Sequence, residues 1–141
     1  MAIHNKLILI VEANAGDVRL FREAFTEIGA RHDIIVANDG DAVLELLAAK
    51  SSAGTARLPD VIFLALRLPK VSAAEVLSKI KNDPLWGAIP LVVFYNSAAP
   101  AEIAEAEHLG ADCCVHRPED FDEFCDLLIE LDRRWLASPA R

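Results

Sequence analysis

Long apolar runs are missing from this 141-residue sequence. The longest, Leu7–Val11 and residues 61–66, have the length of buried strands and fall far short of a membrane span. The opening residues, Met1-Ala2-Ile3-His4-Asn5-Lys6, lack the charged-then-apolar layout of a signal peptide, so a cytoplasmic location is expected. Positive charge is also scarce. There are 14 Lys and Arg against 22 Asp and Glu, giving a net charge of -8, which argues against a nucleic-acid or anionic-membrane surface. Cysteine is limited to Cys113, Cys114 and Cys125. Neighbours on an extended strand point to opposite faces, so Cys113 and Cys114 are poorly placed to share a metal, and free structural thiols in a reduced compartment are expected. No glycine-rich phosphate loop and no nucleophile–base pair is visible, so neither an enzyme nor a cofactor is expected.

More than half of the residues are apolar, at 53%, enough for one domain's core. Five short apolar runs alternate with five helical patterns. Leu7–Val11 is followed by a helix face of Val18, Phe21, Phe25 and Ile28 that Gly29 closes. A second strand is expected at 32–37, ended by Asn38-Asp39-Gly40, and Val43, Leu46 and Leu47 mark the next helix. Residues 51–58 are small and polar and read as a loop. The strand at 61–66 follows, then Ser72 and Glu75 as a capping box for a helix carrying Val76, Leu77 and Ile80. Pro90 introduces a strand at 91–95, and Pro100 suits the first turn of a helix that Gly110 stops. The fifth strand is expected at 112–116, and the last helix at 120–135 carries Phe121, Phe124, Leu128, Leu131 and Trp135 on one face.

Strands this apolar, separated by helices, require parallel pairing with helices on both faces. A single α/β domain spanning 1–141, with a core of about 6–136, is expected, built on a doubly wound five-stranded sheet. Any site should lie at the carboxyl ends of the strands, which carry Glu12-Ala13-Asn14, Ala65, Tyr95-Asn96-Ser97 and Arg117-Pro118.

These residues resemble a known family. Leu9-Ile10-Val11-Glu12-x-Asn14, Leu64-x-Leu66-x-Leu68-Pro69, Leu109-Gly110-Ala111-Asp112 and Arg117-Pro118, in this order, are similar to the frame of bacterial response-regulator receivers, above all the stand-alone receivers found beside phytochromes. The resemblance implies a flavodoxin-like sheet of strand order 2-1-3-4-5 and a role in two-component signalling. It also implies a phosphorylation site made of two acids that hold Mg²⁺, an acceptor aspartate, a Ser or Thr and a Lys. Here Glu12 remains of the acid pair, Ala13 stands for the second acid, Ala65 for the acceptor, Tyr95 for the Ser or Thr and Arg117 for the Lys. A methyl group is no nucleophile, so a pseudo-receiver with a degenerate pocket and no metal is expected. The family's switch aromatic in the fifth strand is here Cys114. Asp17, Asp60 and Asp112 read as caps or surface charges, with Asp17 on a helix facing away from the site. Arg117 is expected to pair with Glu12, since its fork suits a carboxylate, and Tyr95 to close the pocket over them. Arg67 is the competing partner, or a solvent-facing charge.

Trp86 and Trp135 read as core or rim packing, although Trp135 could join a dimer face. No output domain is expected after Arg141, so output should pass through contact with a histidine kinase, another regulator or a second copy. The resemblance implies a homodimer through the fourth helix, fifth strand and fifth helix, and Leu127 and Ile129 widen the apolar arc of that last helix. Two alternatives remain: a decoy that occupies a kinase, and a flavodoxin-like module that takes a small molecule into the emptied pocket.

Overall fold

The computed structural model describes residues 5–53 and 57–136. Five strands, β1 Leu7–Val11, β2 Asp33–Ala37, β3 Val61–Ala65, β4 Leu91–Tyr95 and β5 Cys113–His116, alternate with five helices, α1 Ala15–Glu27, α2 Gly40–Ala53, α3 Ala73–Asn82, α4 Pro100–His108 and α5 Phe121–Leu131. All strand pairings are parallel, in the order β2-β1-β3-β4-β5. This is the flavodoxin-like arrangement expected, and β1 and β3 are buried along nearly their whole length because helices cover both faces.

Alternate residues of each strand divide the core in two. Ile8, Ile10, Val61, Phe63, Val92 and Phe94 face α1 and α5. Leu9, Val11, Ile62, Leu64, Leu91 and Val93 face α2, α3 and α4. On the first side, the Phe21 ring of α1 packs on Phe63 of β3, Phe94 of β4 and Phe124 of α5, with centroids 5.9, 5.1 and 5.1 Å away. Offset and edge-on rings at this spacing add to what their burial already contributes.

The helices begin where side chains take their first free N–H groups. Asn14, Ser72 and Asp120 accept from the N–H of Asp17, Glu75 and Glu123 respectively. The Glu102 carboxylate reaches back to the Ala99 N–H at the start of α4. Gly110 has φ +112, a conformation that closes α4, and a Cβ there would press on the Lys81 side chain at 3.0 Å. Gly40 opens α2 where a Cβ would lie 2.5 Å from the Val71 carbonyl oxygen.

Several boundaries differ from the sequence reading; β3 stops at Ala65 and β5 starts at Cys113, each one residue short of the expected strand. Helix α2 continues through Ser51–Ala53, where Ser51 Oγ accepts the Trp86 indole N–H at 2.8 Å and ties the last turn to the 3-10 turn Trp86–Ala88 before β4. Residues 54–56 of the expected loop lie outside the described residues. His32 precedes β2: its Nδ1 accepts the Lys6 N–H, and its Nε2 bonds Asp132 at 2.6 Å. Helix α5 gives way at Leu131 to a π-helical turn, Asp132–Leu136.

The apolar surplus expected on α5 is packed in part. Leu127 and Trp135 join the core layer beneath α1 and α5, and Ile129 lines a groove with Ile28 and Gly29. Trp86 packs into the opposite layer.

Candidate functional site

At the carboxyl edge, β1, β3, β4 and β5 end around a cavity of about 430 Å³. Glu12, Ala13, Asp17, Ala65, Arg67, Tyr95, Asn96 and Arg117 line it, above the rings of Phe21 and Phe94. The strand-end residues singled out from the sequence thus line one cavity, but their contacts differ from those expected.

Arg117 does not reach Glu12. Its Nη2 sits 3.0 Å from Asp17 Oδ1, and its Nε donates to Asn96 Oδ1 at 3.1 Å. The guanidinium also lies over the Phe124 ring, 5.9 Å from the centroid. Asp17 is thus corrected from an outward-facing charge to a lining residue. It is the third residue of α1, and the Asn14 cap fixes that turn so that its carboxylate hangs over the strand ends.

Glu12 turns back on its own loop, where Oε2 accepts the Asn14 N–H at 3.0 Å. No cation lies within ion-pair distance of it among the described residues. Burial raises its pKa above the usual carboxylate value, and the Asn14 N–H offsets this in part. Asp17 adds a smaller upward push by like charge.

Tyr95 leaves the cavity open. Its ring leans along the sheet edge onto His116, edge-on with centroids 5.6 Å apart, so the phenol forms one wall and not a lid. Ala65, half-buried, ends β3 beside Phe94, and Ala13 is exposed in the loop after β1. Both present only methyl groups to the cavity.

Arg67 serves neither Glu12 nor solvent alone. Its guanidinium forks onto Glu102, with Nη2 donating to Oε1 at 3.0 Å and also to the Ser97 carbonyl at 3.2 Å. This pairing and the Ala99 N–H hold the Glu102 carboxyl at about 2. Glu102 was missed as a site-edge residue. An acid in the first turn after Pro100 was the one signal for Glu102.

Asp60 and Asp112 sit at the far end of the sheet, as the sequence suggested. Asp60 accepts the Leu7 N–H and pairs with Arg57, both at 2.7 Å. Asp112 accepts the Leu91 N–H and pairs with Lys81 at 2.9 Å. Cys113 and Cys114 pack against opposite core layers, and all three cysteines are free. Burial, with Glu107 adding to it, pushes the Cys114 thiol up to about 11.

A hard divalent cation needs several oxygen ligands. This edge offers one carboxylate without a charged partner, and no group of three metal-ligating acidic, His or Cys side chains occurs among the described residues. The donor set does not fit the Mg²⁺ site that the resemblance implies.

Comparison with known proteins agrees with the fold. The family model described as "Response regulator receiver domain" matches residues 8–129. The "Probable methanogenesis regulatory protein FilR2" of Methanothrix harundinacea is 33% identical over 130 residues, covering 92% of this chain and 83% of that protein. "Response regulator Rcp1" of Synechocystis is 28% identical over 131 residues, covering 93% of this chain and 89% of the relative. The crystal structure of the phosphorylated cyanobacterial phytochrome response regulator RcpA superposes with a TM-score of 0.86 at 29% identity, over 97% of this chain and 98% of that one.

Proposed function

Given that the chain belongs to the response-regulator receiver domain family of two-component signalling, we propose that it signals by binding other proteins and accepts no phosphoryl group. The observation that carries this is Ala65, a methyl group at the position where the family's acceptor carboxylate attacks phosphorus. Two further features support it. The donor set around Glu12 is too poor for Mg²⁺, and Arg117 is engaged by Asp17 and Asn96 instead of pointing at an incoming phosphoryl group.

The partners in this reading are a histidine kinase or another regulator, with no catalysis of the chain's own. A kinase held without phosphoryl transfer would make the protein a decoy. No helix among the described residues is long and apolar enough to cross a membrane, and a cytoplasmic location belongs to the same reading. A second copy of the chain is also a partner, through α4, β5 and α5. With Leu127 and Trp135 packed inward, that contact has less apolar area than the sequence suggested.

Incubation with acetyl phosphate and Mg²⁺, or with a phosphorylated kinase core, tests the reading on a Phos-tag gel. No shifted band is expected, for the protein or for Ala65→Asp alone, because the metal donors remain too few. A hydroxylamine-labile band from the unaltered protein would overturn it. The cavity's remaining open beside Tyr95 favours a second reading, a small-molecule module, which equilibrium dialysis against a metabolite extract followed by mass spectrometry would test.

A further inference from the structure

Four charged side chains border the cavity at the carboxyl edge, and three of them are already matched. Asp17 and Arg117 neutralise each other at 3.0 Å, and Arg67 is held by Glu102. Glu12 is left with a half-buried carboxylate whose partners are backbone N–H groups of its own loop, Asn14 foremost. The cavity therefore carries one uncompensated negative charge. Ala13 and Ala65 line it with methyl groups, and Tyr95 presents an aromatic wall.

We propose that this cavity is a socket for the head of an organic monocation, a primary ammonium or guanidinium group on an aliphatic stem. The proposal rests on the reading that no phosphoryl group occupies the pocket. The cation would pair with Glu12, which recovers the energy lost when that carboxylate is partly desolvated. Its stem would lie on the two alanine methyls, and the Tyr95 ring attracts a cation through its quadrupole. An anion finds no free guanidinium here, since both neighbouring arginines are engaged. A divalent metal finds a single unmatched carboxylate, too few ligands. Such a head could come from a free amine or from a Lys or Arg side chain that a partner protein inserts.

Titration of the full chain with n-butylammonium at pH 7, followed by ¹H–¹⁵N NMR, reads the socket directly. Saturable shifts are expected at Ala13, Asn14, Ala65 and Tyr95, with a Kd of about 1–10 mM for so small a probe. Glu12→Gln should weaken binding at least about tenfold, the worth of one charge-assisted bond. Glu45→Gln, on exposed α2, should change it less than about twofold. Ala65→Leu, which keeps every charge and fills the cavity, should abolish it. The tripeptide acetyl-Gly-Lys-Gly-amide separates the sources: binding tighter than butylammonium assigns the socket to a partner's side chain, and weaker binding to a free amine. Butyrate shifting the same residues as strongly as butylammonium would overturn the proposal. So would an unchanged Kd in Glu12→Gln, or no saturation by about 100 mM. The titration contains no phosphoryl donor, so its failure is distinct from a positive Phos-tag result.

Discussion

Arg117 and Asp17 meet at 3.0 Å across the mouth of the cavity and fasten the loop after β5 to the first turn of α1. Both side chains are mostly sheltered from water, at 17% and 21% exposure, so the pair is screened less than a surface bridge. Asp17→Asn should lower stability by about 1 kcal/mol, roughly 4 °C in Tm, measured by thermal denaturation at pH 7. Arg117→Met should cost a similar amount and, in combination with Asp17→Asn, little more, because each variant breaks the same bond.

Glu12 titrates the other way. Its pKa is raised in the folded state, so the protonated form is favoured by folding. Stability from this group is complete below its ordinary value of 4.5 and is lost as pH rises through the higher folded value. Glu12→Gln should leave stability at pH 7 unchanged or slightly higher, and the difference from the unaltered protein should vanish below about pH 4. Urea midpoints at the two pH values check this. A loss at pH 7 is what the Glu12–Arg117 pair expected from sequence would have produced.

Glu102 supplies the opposite sign on an exposed site. Its carboxyl is held at about 2 by Arg67, so its contribution is present above the ordinary carboxylate value and lost as pH falls toward 2. In Arg67→Met, the Glu102 carboxyl ¹³C titration should move up toward the ordinary value of 4.5, with the Ala99 N–H keeping it somewhat below.

Self-association should depend on salt in an unusual sense. Residues 100–131, which form α4, β5 and α5, hold ten Asp and Glu against Arg117 alone. The remainder of the chain has twelve acids against thirteen Lys and Arg. Two copies meeting on this face bring like charges together, so the dimer should tighten as NaCl rises from about 20 to 300 mM and the screening length falls. Sedimentation velocity at the two salt concentrations would show it. Dissociation at the higher salt would point to a different face.

The alternation of apolar runs and helical stripes carried the doubly wound parallel sheet, since buried parallel strands leave few ways to connect them, and the family resemblance supplied the strand order. The location of the site was legible for the same reason: strand ends are read directly from where apolar runs stop. The partner of Arg117 was not legible. Glu12 is close along the sheet edge, but its carboxylate is turned back by the Asn14 N–H, and Asp17 is aimed by the Asn14 cap. Both facts depend on side-chain bonds within one turn, and residue spacing does not encode them. The wide apolar arc of α5 was legible, but how it divides was not: Leu127 packs in part on the core layer, while Ile129 lines a groove with Ile28 and Gly29.

The phenylalanine cluster of the fold has a consequence for how the chain is made. Its rings come from α1, β3, β4 and α5, at residues 21, 63, 94 and 124. No contiguous stretch of the chain shorter than this span completes this cluster. A nascent chain leaving the ribosome therefore keeps Phe21, Phe63 and Phe94 without their last cover until α5 emerges, and depends on chaperones or on speed during that interval.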